Sequence, residues 1–169
     1  MATAPTPTTP TAICKRAYNV FAGDITLSQY YFGREFHPVY KDELTPAHRA
    51  NAAITISRLN QVMAAMREGK VVIEWSPLSP KNIAVSPLNS GWRPLAVNII
   101  TPKAAKFSQH VECCAGDLYD PEGELDDWCM SNQAVLERIG LWLEHPSATK
   151  GWCHLQIVPP KSGRRVFYP

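Results

Sequence analysis

Two segments of the chain hold side chains that can take a metal ion. In Ser108-Gln109-His110-Val111-Glu112-Cys113-Cys114-Ala115-Gly116-Asp117, His110 precedes Asp117 by seven residues, a gap that a short turn can fold back so that both side chains meet one ion. Ala115 and Gly116 place small residues beside that carboxylate. In Trp152-Cys153-His154-Leu155-Gln156, large apolar and polar residues alternate, which predicts a strand with His154 and Gln156 on one face. A zinc ion that keeps a fourth position open for water takes three protein ligands from His, Cys and carboxylate, and the two segments offer such a set. Spacing alone leaves two readings open. Five histidines in 169 residues produce some His–Asp pair by chance, and a lone histidine on a strand is more often structural than a ligand.

These segments need a scaffold, and the clearest piece is a helix opening at Thr45, an N-cap residue, with Pro46 at its first position. It ends near Gly69, where a left-handed C-cap is cheap. Ile56, Leu59, Met63 and Met66 recur at spacings of three or four, and Ala52, Ala53 and Val62 widen this stripe into a core face. Lys70 to Trp75 is short and β-branched and predicts a strand, followed by turns at the Ser-Pro pairs 76–77, 79–80 and 86–87. A second helix is expected from about Ser131 to Glu144, with Val135, Leu136, Ile139 and Leu143 on one side and Pro146 stopping it. Residues 90–120 and 151–157 are left to carry the chemistry.

The chain length fits one domain, with 45% hydrophobic residues to build its core, and 15 Pro against 9 Gly predict many turns and irregular connections. A net charge of +2 creates no field for a polyanion, so nucleic acid is not an expected partner, and Lys161, Arg164 and Arg165 read as a solvated cluster. No apolar run reaches the 18 or so residues of a membrane span, and the Ala/Thr/Pro start lacks a signal-peptide pattern, which points to a protein made in the cytoplasm. Residues 1–11 bring almost no apolar area and are expected to be a disordered or partner-dependent arm ahead of a single domain over 12–169. Five cysteines, two of them adjacent, are expected to be reduced thiols.

Taken together, Ser90-Gly91-Trp92-Arg93, Ser108-x-His110, Ala115-x-Asp117 and Trp152-x-His154 resemble the zinc D-alanyl-D-alanine carboxypeptidase family, which includes phage L-alanyl-D-glutamate endopeptidases. The order Arg, His, Asp, His fits, as do the gaps of 17 (93 to 110), 7 (110 to 117) and 37 (117 to 154). The likeness spans roughly residues 45–157 and is closest to small phage-encoded types with a Gly-x-Arg-x-Phe segment, here Gly163 to Phe167. It implies an α+β fold of the Hedgehog/DD-peptidase type, with an antiparallel sheet carrying zinc and helices packed on one side. By this resemblance the ligands are His110, Asp117 and His154, and Arg93 binds a substrate carboxylate or carbonyl, for which a planar fork of donors suits. Ser108 matches the family serine and would orient the loop or a ligand, with Gln156 in a similar supporting role.

Two departures stand out. Family members place a Glu or His two or three residues before the last zinc-binding His as general base, whereas here those places hold Gly151 and Trp152. Glu112, Asp120 and Glu74 are the candidate replacements. Where the family usually has Gly, this chain has Cys113, which could be a small core residue, a fourth ligand closing the site, or an inhibitory thiol; Cys153 alternates with His154 and is expected in the core. The leading expectation is therefore a zinc metallopeptidase that hydrolyses D-amino-acid-containing bonds of peptidoglycan stem peptides, phage-encoded and serving lysis or carried in the virion. The alternative is a virion structural or interaction protein, docking on neighbouring subunits, that keeps the fold and zinc without activity. A third reading is a host-interaction protein that binds stem peptides uncut.

Overall fold

A computed structural model describes residues 16–18, 23–75 and 87–169 of the chain. The elements run β1 (Arg16–Tyr18), α1 (Leu27–Tyr31), two 3-10 turns (Arg34–Phe36 and Lys41–Glu43), α2 (Pro46–Glu68), β2 (Ile73–Trp75), β3 (Leu88–Ser90), α3 (Leu95–Ile100) and β4 (Ala115–Asp120). They continue with α4 (Glu124–Ser131), α5 (Gln133–Ile139), β5 (Trp142–Glu144), β6 (Gly151–Gln156) and β7 (Val166–Phe167). The arm expected at 1–11 lies outside the described residues, as do the Ser-Pro turns apart from Pro87.

The α2 helix starts as its sequence dictates. The Thr45 hydroxyl accepts from the His48 amide, and His48 Nδ1 accepts from the Thr45 N–H, so two otherwise orphaned donors are satisfied reciprocally. Ala52, Ile56, Leu59, Val62, Met63 and Met66 are all buried, as the stripe requires. At the far end Gly69 keeps φ −73°, and it is Lys70 that adopts the left-handed conformation (φ 56°), so the expected glycine cap falls one residue late on a side chain.

The main sheet has the order β3-β4-β6-β5-β7; a separate ribbon pairs β1 with β2. The first four strands of the main sheet are antiparallel, but β7 joins β5 in parallel, so the sheet is mixed rather than wholly antiparallel. The α+β class stands. On one face, Gly116 sits so close to Leu59 of α2 that a Cβ would come within 2.7 Å of Leu59 Cδ1. Cys129 of α4 meets Cys153 of β6 on that same face, their sulfurs 3.9 Å apart. The α3 helix breaks the expected one-sided arrangement: it lies beside the cavity on the opposite face, where Val97 and Arg93 line the wall.

The expected helix from 131 to 144 is in fact one short helix, α5, and a strand, β5, with Ser131 closing α4. Asn132 interrupts α4 and α5, and Gly140 (φ 84°) ends α5 in a left-handed cap whose amide reaches the Leu136 and Glu137 carbonyls. Arg58 of α2 donates to the Gly140 carbonyl at 2.7 Å, fixing the turn from which β5 departs. Leu143 is buried as expected, but as a strand residue.

Candidate metal centre

Strand alternation and register bring two of the three candidate ligands together. Because Gly116 faces α2, Asp117 must face the other side of the sheet. In the β4–β6 ladder Asp117 is paired with His154, so both point into the same space. Cys153 falls on the helix face and is fully buried there.

His110 comes from the turn before β4. Its amide donates to the Ser108 hydroxyl (3.3 Å), the Val111 amide to the Ser108 carbonyl, and the Cys114 amide to the Gln109 carbonyl at 2.8 Å. Cys113 takes φ 57° to close this reversal, which accounts for the glycine that the family pattern favours at this place. The α2 helix grips the turn from behind: Thr55 donates to the Cys113 carbonyl at 2.8 Å and Asn51 to the Glu112 carbonyl at 2.9 Å. A seven-residue gap thus becomes a folded-back loop held by backbone bonds.

The three side chains converge. His110 Nε2 lies 3.2 Å and His154 Nδ1 2.7 Å from Asp117 Oδ1, all three residues are buried, and their donor atoms lie within 4.8 Å of one another. His110 Nδ1 donates to the Gly91 carbonyl at 2.8 Å. A neutral imidazole has only one N–H, so Nε2 then presents a lone pair to a carboxylate oxygen. Burial pushes the His110 pKa down against the pull of Asp117 and favours this neutral form. Two lone pairs facing each other at this distance are stabilised by a cation between them, and the donor set of two imidazoles and a carboxylate is one that can hold a metal ion.

The neighbouring groups reinforce the charge. Burial alone would raise the Asp117 carboxyl, but imidazole charge and the short hydrogen bond with His154 hold it well below the usual carboxylate range. Arg93 extends a guanidinium nitrogen to 3.5 Å from Asp117 Oδ2, and its amide donates to the His110 carbonyl at 3.1 Å. Burial lowers the His154 pKa, yet its bond to Asp117, the charge of Glu144 and a hydrogen bond with Gln156 outweigh it and raise the net value. Gln156 also donates to the Val158 carbonyl at 2.6 Å, so its amide is fixed.

One functional group escaped the sequence reading. Glu144, at the end of β5, is the next cross-strand neighbour of His154 beyond the Leu143–Leu155 pair, and its Oε2 lies 3.8 Å from His154 Nε2. It is part-buried, burial raises its carboxyl pKa, and it lines the cavity of about 530 Å³ into which His110, Asp117, His154 and Arg93 open. The signal was Gly140: read as a helix stop, it turns Trp142–Glu144 into a strand beside the histidine strand.

The three candidate bases fare differently. Glu112 is exposed and faces His48 at 3.5 Å, while both carboxylate oxygens of Asp120 cap α4 through the Leu125 and Asp126 amides. Glu74 lies on β2, in the other sheet. Cys113 is fully buried, burial pushes its thiol pKa far up, and it is not one of the residues whose donor atoms converge, so it behaves as a core residue. Among the described residues no helix is long and apolar enough to cross a membrane. Comparison of the chain with known protein families, with curated proteins and with solved structures finds no match.

Proposed function

We propose that the chain is a zinc-dependent peptidase of the D-alanyl-D-alanine carboxypeptidase type, hydrolysing D-amino-acid-containing peptide bonds of peptidoglycan stem peptides. The observation that carries the reading is the convergence of His110, Asp117 and His154 at an open cavity with a carboxylate, Glu144, directly beside the last histidine. Bound to these three ligands, zinc would supply Lewis acidity toward a peptide carbonyl and toward water. The choice of zinc over another divalent ion rests on the family resemblance, because two histidines and a carboxylate also suit ferrous iron.

The chain's own residues divide the work. His110 keeps its ligating nitrogen unprotonated by spending its only N–H on Gly91, and Gln156 steadies the His154 ring. Glu144 takes the proton from the attacking water and returns it to the leaving amine; a carboxyl raised by burial suits that exchange. Arg93 directs its guanidinium into the cavity, where its Nε is buried with no hydrogen-bond partner among the described residues, and it stabilises the oxygen on which charge develops. A base on β5 replaces the one that the family pattern would place at Gly151 or Trp152.

The test is incubation of the zinc-loaded protein with purified peptidoglycan and mass spectrometry of what is released. D-alanine or muropeptides cut at a D-amino-acid bond are expected. Zinc-saturated, folded protein that releases nothing would overturn the reading in favour of a virion structural or interaction protein that retains the metal site.

A further inference from the structure

A second guanidinium shares the cavity and has no part in the roles above. Arg34, from the 3-10 turn after α1, is part-buried and lines the same wall as Arg93, His110 and Asp117. Its position is built, not incidental. The Trp92 amide donates to the Tyr30 carbonyl at 3.0 Å, and Arg34 donates back to the Trp92 carbonyl. Gly91 makes the close approach possible, because a Cβ there would lie 2.1 Å from the Tyr30 oxygen. Residues 30–34 and 91–93 are therefore zipped together, and each segment carries one arginine to the cavity.

Like charges held close and partly desolvated repel. Burial, then the charge of Arg93, lower the Arg34 pKa, so the two guanidiniums sense one another. Among the described residues Arg34 makes no ion pair with a carboxylate, and the one carboxylate within reach of Arg93, Asp117, is committed to His110 and His154. An anion entering the cavity relieves this repulsion, and a forked guanidinium matches a carboxylate better than any other side chain does.

We propose that Arg34 binds a free carboxylate of the substrate, leaving Arg93, the arginine beside the ligand Asp117, for the carbonyl under attack. The proposal rests on the peptidase reading and narrows it to peptides with an unblocked carboxylate close to the scissile bond. That carboxylate has two sources in a stem peptide: the C-terminus, or the α-carboxylate of a γ-linked glutamate.

Binding separates this proposal from the peptidase reading, since it can be measured without turnover. Two acid–amide pairs are titrated calorimetrically into the full chain, with and without zinc. One pair is N-acetyl-D-alanyl-D-alanine and its C-terminal amide; the other is L-alanyl-γ-D-glutamate with its α-carboxylate free or amidated. The wild type is expected to prefer at least one acid over its amide by about tenfold or more, and Arg34→Gln to abolish that preference while leaving amide binding unchanged. The pair that responds identifies the carboxylate. Because Arg34→Gln also loses the bond to Trp92, Arg34→Lys serves as control: it keeps the charge without the fork and should retain part of the preference at wild-type melting temperature. Equal binding of acids and amides by the wild type, or a preference that survives Arg34→Gln, overturns the proposal. If the preference depends on Arg34 but no peptide is ever cut, the carboxylate site stands and the peptidase reading falls.

Discussion

His110 and His154 offer Asp117 different nitrogens, Nε2 and Nδ1, and the free nitrogen of each ring has a different neighbour. For His110 it is the Gly91 carbonyl, a fixed acceptor; for His154 it is Glu144, a group that can itself exchange a proton. In the proposed peptidase this asymmetry would separate holding the metal from moving protons. Glu144→Gln keeps size and polarity but cannot accept a proton, so kcat on stem peptides is expected to fall by about two to four orders of magnitude, while zinc affinity measured by competition with a chelating dye changes little. A parallel loss of zinc and activity would mean that Glu144 serves the metal site rather than the reaction. His154→Ala is expected to remove both. Arg93→Ala should cost roughly 2–4 kcal/mol of transition-state stabilisation, read as the ratio of kcat/KM values, with zinc still bound.

At the scale of elements, two glycines show how tightly the site is set into its frame. A Cβ on Gly116 would press on the end of the Leu59 side chain, which can rotate away, whereas a Cβ on Gly91 would strike the backbone of Tyr30, which cannot. Gly91→Ala is therefore expected to destabilise by about 1–3 kcal/mol in denaturant melts and to weaken zinc binding, since the Gly91 carbonyl orients His110. Gly116→Ala should cost less and leave the metal in place. The same contrast explains what could be read from sequence. Strand alternation and a short turn made His110, Asp117 and His154 legible as a candidate set, and the family resemblance singled them out as ligands where spacing left structural histidines open; α2 was legible because Thr45, Pro46 and its apolar stripe agree. Glu144 was not, because Val135, Leu136, Ile139 and Leu143 keep helical spacing across Gly140, and only the pairing of β5 with β6 shows that the period changes there. The parallel edge strand β7 was equally hidden, since two residues carry no periodicity. Arg34 follows α1 in the chain, far from the ligands in sequence, and its contact with Trp92 ties it to the cavity wall.

At the scale of the whole molecule, the buried polar groups set how stability responds to metal and to pH. An ion that binds only the folded chain stabilises it by about 2.7 kcal/mol at a hundredfold excess over its Kd, so zinc should raise the melting temperature of the wild type and not of His154→Ala. The pH response has a second origin, away from the cavity. Asp126 is buried in α4, with one oxygen lacking a hydrogen-bond partner among the described residues, and burial raises its carboxyl pKa to about 7 despite a hydrogen bond from Cys153. The unfolded chain releases that proton near pH 3.9. Between about 4 and about 7 the folded state therefore holds a proton that the unfolded state has lost, and stability falls as pH rises through this window. Above it both states are ionised and the cost of a buried charge is borne in full. Asp126→Asn abolishes the titration, so melting temperatures of wild type and variant should converge at pH 4 and separate by pH 8, the variant melting about 2–6 °C higher. Taking the difference between the two proteins cancels the pH response of His154, which both share. Curves that stay parallel from pH 4 to 8 would show that Asp126 ionises in the folded chain as it does in water.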